Sequence, residues 1–251
     1  MSDIKLSEIS SLPPKDSFKK EFNHETKHLI KKIGHLQHKM YAEGKKSILV
    51  ILQGMDASGK DGVVKSVFSE TNPSGIDITA FKKPTEEEMA HDFLWRVHQK
   101  VPRKGNIMVF NRSHYEDILI QRVNEWITMS RVEQRMSSIN AFENLLQYDS
   151  DTVVLKFYLH LSHEKQQKKL QERIDNPEKQ WKHNDSDWEE SKKWDAYMEA
   201  YEYAINASEI PWHIIPADKQ WYRNYLIATI VYEALHKLDP KLPTLDGNGA
   251  K

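Results

Sequence analysis

The 251-residue chain is 39% apolar and 29% charged, with a net charge of −1 at pH 7. That suits one α/β domain with a sizeable core. It argues against a general nucleic-acid or anionic-membrane binder, which carries a net basic field. The absence of cysteine rules out disulfides, thiolate nucleophiles and cysteine zinc sites. The first residues lack an apolar leader and no apolar run approaches the ~20 residues of a membrane span, so a cytoplasmic protein is expected.

Residues 1–17 are polar, contain Pro13-Pro14 and read as a flexible arm. Between residues 18 and 44, Phe22, Leu29, Ile30, Ile33, Leu36 and Met40 recur at helical spacing, and Gly44 suits the stop. Residues 47–52 are nearly all apolar, as in a parallel strand buried on both faces. Similar runs stand at 76–81, 107–110, 153–161 and 212–215. Thr85 with Glu88, Ser130 with Glu133, and Asp187 with Glu190 predict capping boxes for helices ending near Val101, Gln147 and Ala207. A last helix is predicted over 220–238, and 240–251 reads as a flexible tail. Strands alternating with helices predict a three-layer α/β/α domain over 18–239, with a five-stranded parallel sheet and right-handed crossovers.

Directly after the first strand stands Gly54-Met55-Asp56-Ala57-Ser58-Gly59-Lys60-Asp61-Gly62. The pattern G-x-x-x-x-G-K between strand and helix lets backbone N–H groups converge on phosphate oxygens. The following helix points its positive end at the same place, and Lys60 brings a mobile charge to a transferring phosphoryl group. Two positions depart from the usual pattern. Asp61 stands where Ser or Thr would meet a magnesium ion, and Asp56 lies inside the loop. A carboxylate facing phosphates repels them unless a metal lies between. Asp56 is therefore a metal ligand, an orienting group for an incoming phosphate, or a cap of its own turn.

The strand at 107–110 leads into Asn111-Arg112-Ser113-His114-Tyr115-Glu116-Asp117. Open α/β sheets place chemistry at the carboxyl ends of strands, so Asp56 and Lys60 should meet Arg112, Glu116 and Asp117. Together the two motifs resemble those of the type 2 polyphosphate kinase family. The resemblance extends to Phe81-Lys82-Lys83-Pro84-Thr85, to 176–182, to Pro211-Trp212 and to Pro216-Ala217-Asp218, covering about residues 20–235. It implies a P-loop kinase-like core similar to thymidylate kinase, with a helical lid around 162–195. It also implies magnesium or manganese, inorganic polyphosphate, and AMP, ADP, ATP or guanine nucleotides as ligands, in a homo-oligomer. The family's loop carboxylate matches Asp56, its lysine Lys60 and its second-motif arginine Arg112. Relatives with Asp at the strand end differ from Asn111 here, which moves the second metal role to Asp117 or to Glu116. The Glu116-Asp117 version resembles the subgroup accepting both AMP and ADP.

A polyanion needs a basic track. Candidates are Lys65, Lys82, Lys83, Arg112 and Arg122, with Arg173, Lys179 and Lys182 from the lid. Trp181, Trp188 and Trp194 read as lid packing residues. The alternative enzyme is a nucleoside monophosphate kinase using ATP. His24-Glu25-Thr26-Lys27-His28 spells the zinc-protease pattern H-E-x-x-H. Its histidines fall on the stripe opposite Leu29, Ile33 and Met40, towards solvent, with no third ligand nearby.

Overall fold

The computed structural model describes residues 3–245. The five apolar runs become β1 (Ser47–Gln53), β2 (Ile76–Ala80), β3 (Ile107–Asn111), β4 (Thr152–His160) and β5 (Trp212–Pro216). They pair in parallel in the order β2-β3-β1-β4-β5. The helices are α1 (Lys19–Glu43), α2 (Lys60–Val67), α3 (Glu86–Ala90), α4 (Trp95–His98), α5 (Ile120–Val123), α6 (Met129–Ser150), α7 (His163–Asp175), α8 (Asp185–Lys192), α9 (Trp194–Asn206) and α10 (Gln220–Leu238).

β1 shows why a central strand reads as an unbroken apolar run. Its Ile48, Val50 and Leu52 join a core shared with α1, α2 and α10, while Leu49 and Ile51 join a second core with α6 and α9. Both faces are covered, so every residue must be apolar or internally bonded. β2 lies at the sheet edge, and none of its residues is fully buried. No residue of α7 or α8 belongs to either core, and the two helices cover the segment expected as the lid. The predicted three-layer α/β/α architecture with a five-stranded parallel sheet is therefore observed.

Helix boundaries differ from the sequence reading in ways that side chains explain. The Thr85–Glu88 capping box forms, but α3 stops at Ala90. Asp92 accepts the Leu94 N–H at 2.9 Å, an Asx turn that competes with helix continuation. α6 is capped by Thr128, not Ser130, through the Arg131 N–H at 3.3 Å. The helix expected from Asp187 to Ala207 is two: α8, capped by Asn184, and α9. Lys193 leaves helical geometry between them, with its ammonium held by Glu190 at 3.0 Å.

The expected flexible arm is instead strapped to the domain from residue 4 onward. Leu6 is only 1% exposed and belongs to the α6/α9 core. The Ile4 and Leu6 N–H groups donate to Asn206 and Glu202 of α9 at 2.8 and 2.7 Å. One apolar anchor inside a polar stretch holds the segment, which composition alone conceals. Residues 246–251 of the expected tail lie outside the described residues.

Candidate active site

The loop between β1 and α2 is built on two left-handed glycines, Gly54 (φ 146°) and Gly59 (φ 96°). A Cβ at Gly54 would fall 2.8 Å from the Leu159 carbonyl oxygen. Lys60 folds back into this loop, donating to the Gly54 carbonyl at 2.7 Å and to that of Met55 at 3.3 Å. Burial, then the neighbouring Arg112, lowers its pKa to about 8, against the pull of Asp56, Glu116 and Asp61.

β3 delivers the second motif beside it. Asn111 donates to Asp61 at 2.7 Å. Arg112 adopts a left-handed backbone (φ 61°), pairs directly with Asp56 and lies 4.0 Å from Glu116. Burial weakens the guanidinium charge, but Asp56 and then Glu116 outweigh it and hold Arg112 firmly protonated. Glu116 is half-buried, and burial raises its pKa above the usual carboxylate value despite Arg112 and Lys60. Its neighbour Gln53 turns its amide nitrogen to Glu116 at 3.0 Å and its oxygen to Ser113.

Asp117 does not join this group. It is 4% exposed and accepts from Arg96 at 3.3 Å and from Gln121 at 2.7 Å. Residues His114–Asp117 form a 3-10 turn, in which consecutive side chains point about 120° apart. Glu116 therefore faces Arg112 while Asp117 faces away. Arg96 also donates to the Lys82 carbonyl at 2.9 Å, so Asp117 buttresses the β2 end instead.

The loop, the strand ends and the lid enclose a trough of about 1130 Å³. Asp56, Ala57, Gly59, Lys60, Asp61 and Gly62 form its floor, with Lys82, Lys83, Asn111 and Arg112 on one side. Arg173, Lys179 and Lys182 reach it from the lid, with Lys182 3.8 Å from Asp61. Ser58 is fully buried beneath the floor. Two expected track residues lie outside the lining. Lys65 is exposed on the last turn of α2. Arg122 sits over the Tyr203 ring at 5.3 Å.

Sequence reasoning missed other trough residues. Lys165 and Lys169 precede the expected Arg173 at intervals of four on α7, a spacing that puts all three on one helix face. Lys169 donates to the Ala57 carbonyl at 3.0 Å, and burial, then Arg223 and Lys165, lowers its pKa to about 8. Arg223 of α10, 2% exposed, donates to the Ser58 carbonyl at 3.0 Å, and burial lowers its pKa to about 10. Asp187 of α8 pairs with Arg173, and burial, then Asp56, raises its pKa. Trp194 stacks on His163 at 4.6 Å, as a packing residue should. Trp181, however, is 78% exposed and lines the trough, because its 3-10 turn projects it from the lid.

Twelve lysines and arginines line the trough against five carboxylates, on a chain of net charge −1. The positive field is thus concentrated in one place, suited to a polyanion. Asp56 and Glu116 supply hard oxygen donors near the floor, and no group of three or more metal-binding side chains occurs among the described residues. Magnesium commonly takes one or two carboxylates together with substrate phosphates, so this donor set fits it. His24 and His28 are exposed on α1, their rings in edge contact at 4.7 Å.

A parallel sheet with a phosphate loop at its carboxyl edge, under a basic lid, defines a phosphoryl-transferring kinase fold. Residues 16–243 match the family Polyphosphate kinase 2 (PPK2), and the chain belongs to that family of transferases. It is 48% identical to an AMP/ADP-polyphosphate phosphotransferase of Meiothermus ruber over 86% of this chain and 81% of that one. It is 38% identical to an ADP-polyphosphate phosphotransferase of Rhodopseudomonas palustris over 85% and 79% of the two chains. The crystal structure of polyphosphate kinase 2 from Arthrobacter aurescens superposes with a TM-score of 0.94 at 38% identity, covering 99% of this chain and 90% of that one. No helix among the described residues is long and apolar enough to cross a membrane.

Proposed function

We propose that this kinase moves a phosphoryl group reversibly between inorganic polyphosphate and a purine nucleotide, taking both AMP and ADP as acceptors. The carrying observation is the trough, where the basic excess runs from the phosphate loop along α7 and onto α10. The names of the relatives from Meiothermus ruber and Rhodopseudomonas palustris agree with a polyphosphate donor. An ATP donor is the competing reading, but a compact triphosphate has little use for as many as twelve lining cations. Cytoplasmic location and homo-oligomeric assembly belong to the same reading, and guanine nucleotides fall within its acceptor class.

Phosphoryl transfer is mostly positioning and charge stabilisation. Lys60 and Arg112 face the group in transfer, and the loop N–H groups hold the phosphate before it. Acceptor phosphate oxygens are already ionised at neutral pH, so no general base is required. Asp56 and Glu116 would hold magnesium, or manganese in its place, and such an ion would offset phosphate charge. Arg112 pairs with Asp56 at the floor of the trough.

The test offers AMP and ADP separately with magnesium and long-chain polyphosphate, and resolves the products. ADP and ATP from AMP is the expected outcome. ATP from ADP alone narrows the acceptor. Turnover only with ATP as donor overturns the proposal.

A further inference from the structure

The segment 111–117 sends its side chains in two directions. Arg112 and Glu116 face the phosphate loop, whereas His114 and Tyr115 run into the core and are fully buried. Under them lies a network of charged groups that the transfer reaction does not touch. Glu143 of α6 and Lys156 of β4, both fully buried, pair at 2.7 Å. Glu143 also meets His114 Nε2 at 3.2 Å. Lys156 donates to the Tyr115 hydroxyl at 2.7 Å, which continues to Ser208 at 3.1 Å.

Patterning does not call for these charges. On β4, Lys156 shares its face with Val154 and Tyr158, both members of the α6/α9 core. Burying an ion pair is expensive, and apolar residues of similar volume often serve stability as well or better. Burial pushes the Glu143 carboxyl up, yet the hydrogen bond to His114 and the Lys156 charge outweigh it and keep it below its usual value. The Glu143–Lys156 pair is therefore held together by charge, and although His114 Nδ1 has no partner, the network is aimed at two consecutive residues of the turn. Two anchors on adjacent residues fix both the depth and the rotation of that turn. Arg112, just before them, holds a left-handed backbone that a non-glycine residue keeps only when its surroundings enforce it.

We propose that Glu143 and Lys156 are positioning residues, which grip His114 and Tyr115 and thereby set Arg112 and Glu116 against Asp56 and Lys60. This rests on the reading of Arg112 and Glu116 as phosphoryl-transfer groups.

The test replaces the pair with an apolar one, Glu143→Leu with Lys156→Met, in the full chain. The expected result is a melting temperature at or above that of the parent protein with kcat lowered about 10²-fold, the usual scale for a small misplacement of reacting groups. A stable double variant with parental kcat overturns the proposal. Tyr115→Phe removes one anchor and keeps the ring, so it folds even if the double variant does not. It should lower kcat roughly tenfold with KM little changed, and parental kcat there overturns the proposal too. Adding Arg112→Lys to the Tyr115→Phe protein should cost less than it costs alone, because the two act through one element; full additivity counts against the coupling. Amide exchange over 111–117 needs no substrate and should quicken in Tyr115→Phe roughly tenfold. Unchanged exchange sinks the positioning claim, whereas faster exchange in Tyr115→Phe, with a parent protein that lacks polyphosphate-dependent turnover, sinks only the functional reading.

Discussion

The guanidinium of Arg223 occupies the space that a side chain at Gly59 would need: a Cβ there would fall 2.0 Å from Arg223 Nη1. The glycine before Lys60 is thus required twice, by its left-handed φ of 96° and by an arginine from the last helix. Arg223 carries its charge to the underside of the phosphate loop and is opposed chiefly by its own burial. A bound phosphate would supply the missing countercharge. Arg223→Met is expected to lower kcat/KM for polyphosphate by about 10²- to 10³-fold while leaving the melting temperature equal or higher. Steady-state kinetics with calorimetry checks this, and a stable variant with parental kinetics removes Arg223 from the site. Gly59→Ala should be inactive and destabilised, since both constraints fail together.

Lys60 is held inside the loop by two carbonyl oxygens, and Arg112 is held by Asp56. Both cations are parked on protein oxygens that phosphate oxygens would replace. Lys60→Met and Asp56→Asn should each lower turnover by at least ~10³-fold, a loss typical of removing a charged group that acts on the transferring phosphoryl. The melting temperature of Lys60→Met should stay close to that of the parent protein, because Lys60 has no ion pair among the described residues, and that of Asp56→Asn should fall only slightly, because its pair with Arg112 is partly exposed. Turnover within tenfold of the parent by either variant would end these assignments.

Glu116 and Asp117 are adjacent acids with opposite surroundings, and this separates their variants. Glu116→Gln should cut kcat and raise the magnesium concentration needed for half-maximal rate, with the fold intact. Asp117→Asn leaves Arg96 buried with a weakened partner, so it should cost about 3 kcal/mol of stability and leave the magnesium requirement unchanged. Urea unfolding and magnesium titrations of both variants decide. The reverse pattern would return the metal role to Asp117.

The seven-residue run 111–117 shows what was legible in the sequence. Its acids and its arginine announced a site, and strand order brought them to the phosphate loop as expected. Which acid faced that loop depended on a 3-10 turn, and the rotation of such a turn leaves no periodic trace in seven residues. Arg223 was illegible for another reason: on α10 it sits in an ordinary amphipathic pattern, and only the close approach to Gly59 reveals it. The stripe Lys165, Lys169 and Arg173 was legible, since its spacing of four needs only the helix to be known. Leu6 was not, because Ile4, Leu6, Ile9 and Leu12 keep to neither a helical nor a strand period.

Lys60 and Lys169 both have pKa values of about 8, so the trough loses charge just above neutral pH. A bound polyanion favours their protonated forms, so binding takes up protons once the pH exceeds about 8. Affinity must then fall as pH rises, by at most roughly tenfold per pH unit for each lysine. KM for polyphosphate should be flat near pH 7 and climb between about 8 and 9.5. Lys169→Met should reduce that slope. The empty protein should do the opposite. Both folded values lie below the ordinary 10.5, so the unfolded chain binds more protons between about 8 and 10.5, and these two groups make stability rise with pH there. A pH-independent KM across this range would show that neither lysine titrates against the substrate.

The strap at residues 4–11 ends beside the start of α7. The Ile9 carbonyl lies 2.9 Å from His160 Nε2, and the Ser11 carbonyl takes the Asp218 N–H at 3.1 Å. Asp218 in turn accepts both the N–H and the hydroxyl of Ser162, each at 2.8 Å, and Ser162 caps the first turn of α7. Leu6 anchors the strap in the core, so Leu6→Ala should cost about 2–5 kcal/mol, as other buried leucines do. Removing residues 1–11 should go further and speed amide exchange in the first turn of α7, where the cap loses its support. The lid would then close less often over the trough, and kcat/KM for polyphosphate should fall with little change in the chemistry of a bound substrate. Denaturation of Leu6→Ala and exchange in the truncated chain test the two halves separately. Unchanged values in both would mean that the strap rests on the domain without holding it.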